Sequence, residues 1–161
     1  MFTKFASLIA LATVIVGASA ESHTVTFDNK CGKGTPKLIQ NGKTLSSGKS
    51  FTSNGPFPAA IAYLQTGDCG LNGEKCMTVE MTLQNAANGA GSGSSADLSL
   101  IPPLAFNVPI HFEYTNTQGC NGKGATCGDA NCKTAFHKPD DTQVQVACQT
   151  DNANLHIVFC P

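Results

Sequence analysis

Met77-Thr78-Val79-Glu80-Met81-Thr82-Leu83 alternates without a break: Met77, Val79, Met81 and Leu83 are apolar, and Thr78, Glu80 and Thr82 are polar. A period of two puts successive side chains on opposite faces of an extended chain, one for a core and one facing away from it. Ala96 to Leu100 repeats the pattern with Asp97 and Ser99 on the polar face. Ile110 to Tyr114 repeats it again, with His111 and Glu113 opposite Ile110, Phe112 and Tyr114. Thr24 to Asn29, Gln143 to Val146 and Leu155 to Phe159 are further strand candidates. Asn41-Gly42 and Asn54-Gly55-Pro56 are turn signals. No stretch after residue 20 holds a helical period, so many short strands and Gly- and Asn-rich turns predict an all-β sandwich or barrel. Asn85 to Ser95, small, polar and Gly-rich, is expected to be a mobile connector between two strands. Gly119 to Thr134, with three cysteines and four glycines, is expected to be a loop kept ordered by disulfides.

The N-terminus sets the compartment. Met1 to Lys4 is a short basic start, Phe5 to Gly17 an apolar run, and Ala18-Ser19-Ala20 a small-x-small cleavage site. This is the layout of a secretory signal peptide over residues 1–20. The run is shorter than the roughly 20 residues of a membrane-spanning helix. A soluble, extracellular monomer with one domain over residues 21–161 is expected. Nine basic residues remain after the leader, all lysines, against eleven acidic ones, a formal charge of −2. Without arginine or a basic cluster, nucleic acid is not an expected partner.

All eight cysteines follow residue 30, and an even count in a secreted chain predicts a disulfide framework. Spacing alone leaves 105 pairings open. Zinc is the competing use, but Cys69-x6-Cys76, Cys120-x6-Cys127 and Cys127-x4-Cys132 include no tight CxxC pair. Cys31 follows the first strand and Cys160 is the penultimate residue, so a bond between them would tie one end of the mature chain to the other.

Four short stretches, in order, resemble the thaumatin-like proteins: Val25-Thr26-Phe27-Asp28-Asn29-Lys30-Cys31, Thr66-Gly67-Asp68-Cys69-Gly70 followed by Cys76, Phe106-Asn107-Val108-Pro109-Ile110 with Gly119-Cys120 beyond, and Phe159-Cys160-Pro161. The resemblance implies an eleven-stranded thaumatin-like β-sandwich stapled by four disulfides: Cys31–Cys160, Cys69–Cys76, Cys120–Cys148 and Cys127–Cys132. It also implies a small-type member, since the family's second domain is reduced to about Gly119 to Lys138.

Members of that family that bind or cut β-1,3-glucan use a cleft of one arginine, one glutamate and three aspartates. The resemblance assigns Glu80 to the glutamate and Asp97 to the first aspartate. The alternation independently puts both on polar strand faces. The next aspartate falls near Pro102-Pro103 and is missing, the last belongs to the reduced domain, and the chain has no arginine. A glycosidase needs one protonated and one ionised carboxyl group, and Glu80 with Asp97 would be that pair. His111 and Glu113, which share a strand face, are candidates to extend the polar site. No GxSxG motif is present, and every cysteine is assigned to a bond.

Cleavage after Ala20 would leave Glu21-Ser22-His23 at the N-terminus, where a free amine, two amide nitrogens and the His23 imidazole can hold Cu(II) in a square plane. An ordinary histidine at the head of a strand is the favoured reading there, and no cofactor is expected. The leading functional expectation is a binding protein for cell-wall β-1,3-glucan or another extracellular partner, with the defence or wall-remodelling setting that the resemblance implies. The alternatives are a β-1,3-glucanase using Glu80 and Asp97, and an interaction protein with a vestigial cleft.

Overall fold

The computed structural model describes residues 20–86 and 92–161. Residues 1–19 of the expected leader and residues 87–91 of the Asn85–Ser95 connector lie outside the described residues. The strands in chain order are β1 (Ser22–Asn29), β2 (Thr35–Gln40), β3 (Lys43–Ser46), β4 (Phe51–Asn54), β5 (Phe57–Gln65), β6 (Thr78–Leu83), β7 (Ser94–Ser99), β8 (Ile110–Thr115), β9 (Gly124–Cys127), β10 (Ala135–Phe136), β11 (Val146–Cys148) and β12 (Asn154–Phe159). They form a five-stranded sheet, β4-β1-β12-β8-β9, and a seven-stranded sheet, β10-β7-β6-β5-β2-β3, in which β11 also pairs with β7. The alternating apolar residues meet between the sheets. Val25, Phe112, Leu155 and Ile157 of one sheet join Leu38, Val79, Met81 and Leu98 of the other in one buried cluster. Each such side chain contributes roughly 1.5–3 kcal/mol on leaving water.

Local sequence accounts for several joints. Asn41 and Gly42 both take positive φ, 51° and 71°, in the two-residue turn between β2 and β3, the backbone that the twist of a hairpin favours. Gly124 is required by closeness rather than by φ: a Cβ there would lie 1.8 Å from the Phe112 carbonyl oxygen. That contact brings β9 against β8, with Glu113 opposite Gly124. The Gly119–Thr134 segment is therefore partly strand, where the sequence suggests only loop. It adds one edge to the five-stranded sheet, and with the short β10 the described residues hold twelve strands rather than eleven. Gln143–Val146 also differs from expectation: Thr142–Val144 forms a 3₁₀ turn, and β11 begins only at Val146. Four residues of alternation are too few to tell a strand from a tight turn. Ser94 and Ser95, counted with the connector, open β7 instead.

Four disulfides join Cys31 to Cys160, Cys69 to Cys76, Cys120 to Cys148 and Cys127 to Cys132, and no described cysteine is free. The first and last strands run parallel, with Val25 beside Leu155 and Asn29 beside Phe159. Cys31–Cys160 clasps them just beyond. Cys120–Cys148 ties the end of β11 to the turn before β9, and Cys127–Cys132 closes a short loop after it.

The bonds differ most in the loop they close, 129 residues for Cys31–Cys160 and 5 for Cys127–Cys132. Chain entropy assigns them about 5 and about 2 kcal/mol. The Cys31→Ser/Cys160→Ser variant is expected to lose more than twice the unfolding free energy of Cys127→Ser/Cys132→Ser in guanidinium titrations. Equal losses would mean that the terminal clasp adds nothing beyond a local staple.

Candidate functional site

Glu80 and Asp97 are direct cross-strand partners in β6 and β7, and Ile61 of β5 is the next partner of Glu80. One rung of the seven-stranded sheet thus runs Ile61–Glu80–Asp97 across its outer face. Directly opposed residues have Cβ atoms only about 5 Å apart, so the two carboxyl groups must share space. Glu80 is half-buried, but Asp97 is only 7% exposed, which rules out a pair of freely solvated carboxylates. Gln145 lies beside the pair: the 3₁₀ turn before it carries the chain past the β7 edge, and it lines the same cavity as Asp97.

Around the pair lies an open cavity of ≈ 340 Å³ lined by Ile61, Glu80, Thr82, Ser95, Asp97 and Gln145, with Ala60 and Met81 beneath and Ala59 at the rim. Its rim is shaped by a β-bulge between Phe57 and Ala60. There Ala59 adopts a φ of 51° and its N–H donates to Thr82 Oγ1 at 3.1 Å. Bulges re-aim strands in this way beside binding sites.

Burial, and next the charge of Glu80, push the Asp97 pKa up to about 7, against a smaller opposing effect of the polar Gln145 side chain. Burial and the Asp97 charge likewise hold the Tyr114 hydroxyl above the ordinary phenol range; it donates to the Val146 carbonyl at 3.0 Å. Among the described residues, the buried side-chain polar atoms without a partner are Asp97 Oδ1, Thr78 Oγ1 and Ser99 Oγ. All belong to this face: Thr78 and Ser99 form the rung next to the carboxylates with the same side-chain direction. No lysine or histidine lines the cavity, and neither carboxylate joins an ion pair among the described residues.

His111 and Glu113 are elsewhere. They lie on β8, on the outer face of the other sheet, and do not extend this site. Glu113 stands opposite His156 of β12. His111 Nε2 is 3.9 Å from Glu113 Oε2, and its Nδ1 is 2.7 Å from Thr126 Oγ1. His156 lies between Thr26 Oγ1 at 2.8 Å and Asp28 Oδ2 at 3.5 Å. These are partly exposed pairs of the kind that contribute about 0–1 kcal/mol.

The fold gives the His23 segment partners of its own. β1 starts at Ser22 and pairs with β4, and the His23 side chain is fully buried. His23 Nδ1–H donates to the Ala153 carbonyl at 2.8 Å, and Nε2 lies 3.0 Å from Glu21 Oε1. The Ser22 amide donates to Asn152 Oδ1 at 3.0 Å, and Glu21 Oε1 also accepts the Asn85 amide at 2.7 Å. The bond to His23, then that to Asn85, hold the Glu21 carboxyl below its ordinary range. The Ser22 amide and the His23 imidazole, two of the groups copper would need, are thus bonded within the protein.

Sequence reasoning identified the two carboxylates but missed Gln145, Ile61 and the bulge at Ala59. Gln145 carries no local signal, because its role follows from β11 docking beside β7.

No family model matches the chain. It is 29% identical to thaumatin-like pathogenesis-related protein 2 of Avena sativa over 177 aligned positions, covering 94% of both chains. A solved thaumatin-like xylanase inhibitor superposes with a TM-score of 0.51 at 19% identity, over 86% of this chain and 99% of that one. A protein elicitor from Magnaporthe oryzae superposes at 0.50 and 13% identity, over 88% and 100%. The thaumatin-like resemblance holds from end to end, and the fold is a thaumatin-like β-sandwich with four disulfides.

Two outcomes follow from this geometry. The raised pKa means that folded Asp97 keeps a proton that the unfolded chain releases near pH 4. Stability is therefore lost as pH rises from about 4 to about 7, by at most about 4 kcal/mol. Asp97→Asn is expected to match the wild type at pH 4 and to exceed it in unfolding free energy at pH 8; an unchanged difference across that range would show that Asp97 titrates normally. A Cu(II) titration of the native protein is expected to give no visible band of square-planar nitrogen ligation, and such a band in the folded state would put the N-terminus outside the sheet.

Proposed function

We propose that this is a secreted recognition protein that holds cell-wall β-1,3-glucan in the Glu80–Asp97 groove and does not cut it. The observation that carries the reading is the rung itself: a buried carboxyl, an adjacent carboxylate and an amide at the foot of an open cavity, able to donate to and accept from sugar hydroxyls. Asp97, half-protonated near pH 7, supplies a donor, Glu80 an acceptor, and Gln145 a polar group at the far side.

The hydrolytic reading has one specific observation in its favour, an acid with a pKa of about 7 beside a second carboxyl group. Geometry weighs against it. A glycosidase places its two carboxyl groups on either side of the scissile bond. Glu80 and Asp97 are neighbours on one rung of one sheet, so both approach a ligand from the same side. The arginine and the further aspartates of the family's cleft are also missing.

The extracellular setting rests on the leader over residues 1–20 and on four disulfides, which persist in oxidising compartments. A defence role is favoured by the description of the Avena sativa relative as pathogenesis-related and by the inhibitor and elicitor among the solved structures.

Incubation with laminarin tests the reading. The protein is expected to co-sediment with insoluble β-1,3-glucan and to release no reducing sugar, with Glu80→Gln and Asp97→Asn weakening retention at least fivefold. Reducing sugar released by the wild type and lost in either variant would establish the glucanase instead. Absence of both retention and release would leave the groove without a glucan role.

A further inference from the structure

Glucan is uncharged, and it leaves one property of the groove without a use. The rung concentrates two carboxyl groups, one of them inside the protein, and among the described residues no cationic side chain lines the cavity. Burying a carboxylate is costly unless a charge or hydrogen bonds compensate it. Here Asp97 Oδ1 is buried without a hydrogen-bond partner. Two hydroxyl oxygens on the adjacent rung, Thr78 Oγ1 and Ser99 Oγ, are also unpartnered and buried. The Ile61 side chain lies beside Glu80 on the same face, and Ala59 forms the rim. The cavity is therefore acidic at its foot and apolar along one wall.

We propose that this cavity receives the side chain of a lysine from a protein partner, its methylenes along Ile61 and Ala59 and its ammonium between the Glu80 carboxylate and the exposed edge of the Asp97 carboxyl. An ammonium fits better than a guanidinium. Asp97 offers the cavity only one oxygen, because its Oδ1 is buried, so it does not present the two-oxygen fork that favours arginine. An ammonium is a point charge with three donors, and the site presents separate acceptors from two carboxyl groups. Its charge also removes the repulsion between Glu80 and Asp97. Binding requires both carboxylates to be ionised, so it strengthens as pH rises through the range where Asp97 loses its proton. The inference needs the groove but not the glucan reading.

The probe is Nα-acetyl-lysine methylamide, titrated into the intact mature protein and followed by NMR shifts of the Ile61 methyls and the Glu80 and Asp97 amides. Saturable shifts are expected at pH 8, with an apparent Kd weakened about tenfold at pH 6. The norleucine analogue, which keeps the stem and lacks the charge, is expected to cause none, and the arginine analogue smaller ones. Asp97→Asn and Glu80→Gln, with amide spectra otherwise like the wild type, are each expected to abolish the lysine response. Equal shifts with norleucine, a lysine response retained in both variants, or no shift at pH 8 would overturn the proposal. Lysine binding without laminarin retention would sustain this site and remove the glucan reading, and the reverse result would do the opposite.

Discussion

The parallel pairing of the first and last strands is the constraint on which the rest depends. β1 and β12 are separated by almost the whole described chain, yet Val25 to Asn29 lie in register with Leu155 to Phe159. Such a contact has a high loop-closure cost, and Cys31–Cys160 removes much of it by tying the chain just past both strands. With that pair in place, β12 takes β8 on its other side and β8 takes β9, while β1 takes β4. The five-stranded sheet is built outward from the clasp, and the seven-stranded sheet packs its alternating apolar residues against it.

The second sheet answers a different demand. Its inner face is apolar and fully used, but its outer face carries Glu80 and Asp97 side by side. A carboxyl group 7% exposed beside another carboxyl group does not stabilise a fold. Sequences usually place such a group where its strain serves binding or chemistry. The bulge at Ala59 and the docking of Gln145 both act at this spot, one opening the cavity rim and the other lining the cavity beside the acid. By contrast, the histidines and acids of the five-stranded sheet are spread along a flat face and paired with one another.

The N-terminus shows how tertiary structure overrides local chemistry. Glu21-Ser22-His23 has the residue order of a copper site, and in an unstructured peptide nothing would oppose that use. In the fold, the Asn85 region and the turn around Asn152 and Ala153 meet this segment, and hydrogen bonds take up the His23 ring and the Ser22 amide. The result is a polar knot that closes one end of the sandwich.

Much of this was legible in the residues themselves. Alternation in Met77–Leu83 and Ile110–Tyr114 identified strands and their buried faces, because side-chain direction in a strand has a period of two and needs no partner to be read. Asn41-Gly42 marked its hairpin, and the cysteines with their flanking motifs carried the thaumatin-like resemblance. Glu80 and Asp97 were assigned to polar faces for the same local reason. Only the tertiary structure decided that they share a rung, that Asp97 is buried, and that Gln145 and Ile61 complete their surroundings. It also separated His111 and Glu113 from them by a whole core and put His23 inside. Register, burial and the pKa of a buried acid depend on which distant segments meet, and a one-dimensional pattern does not contain that.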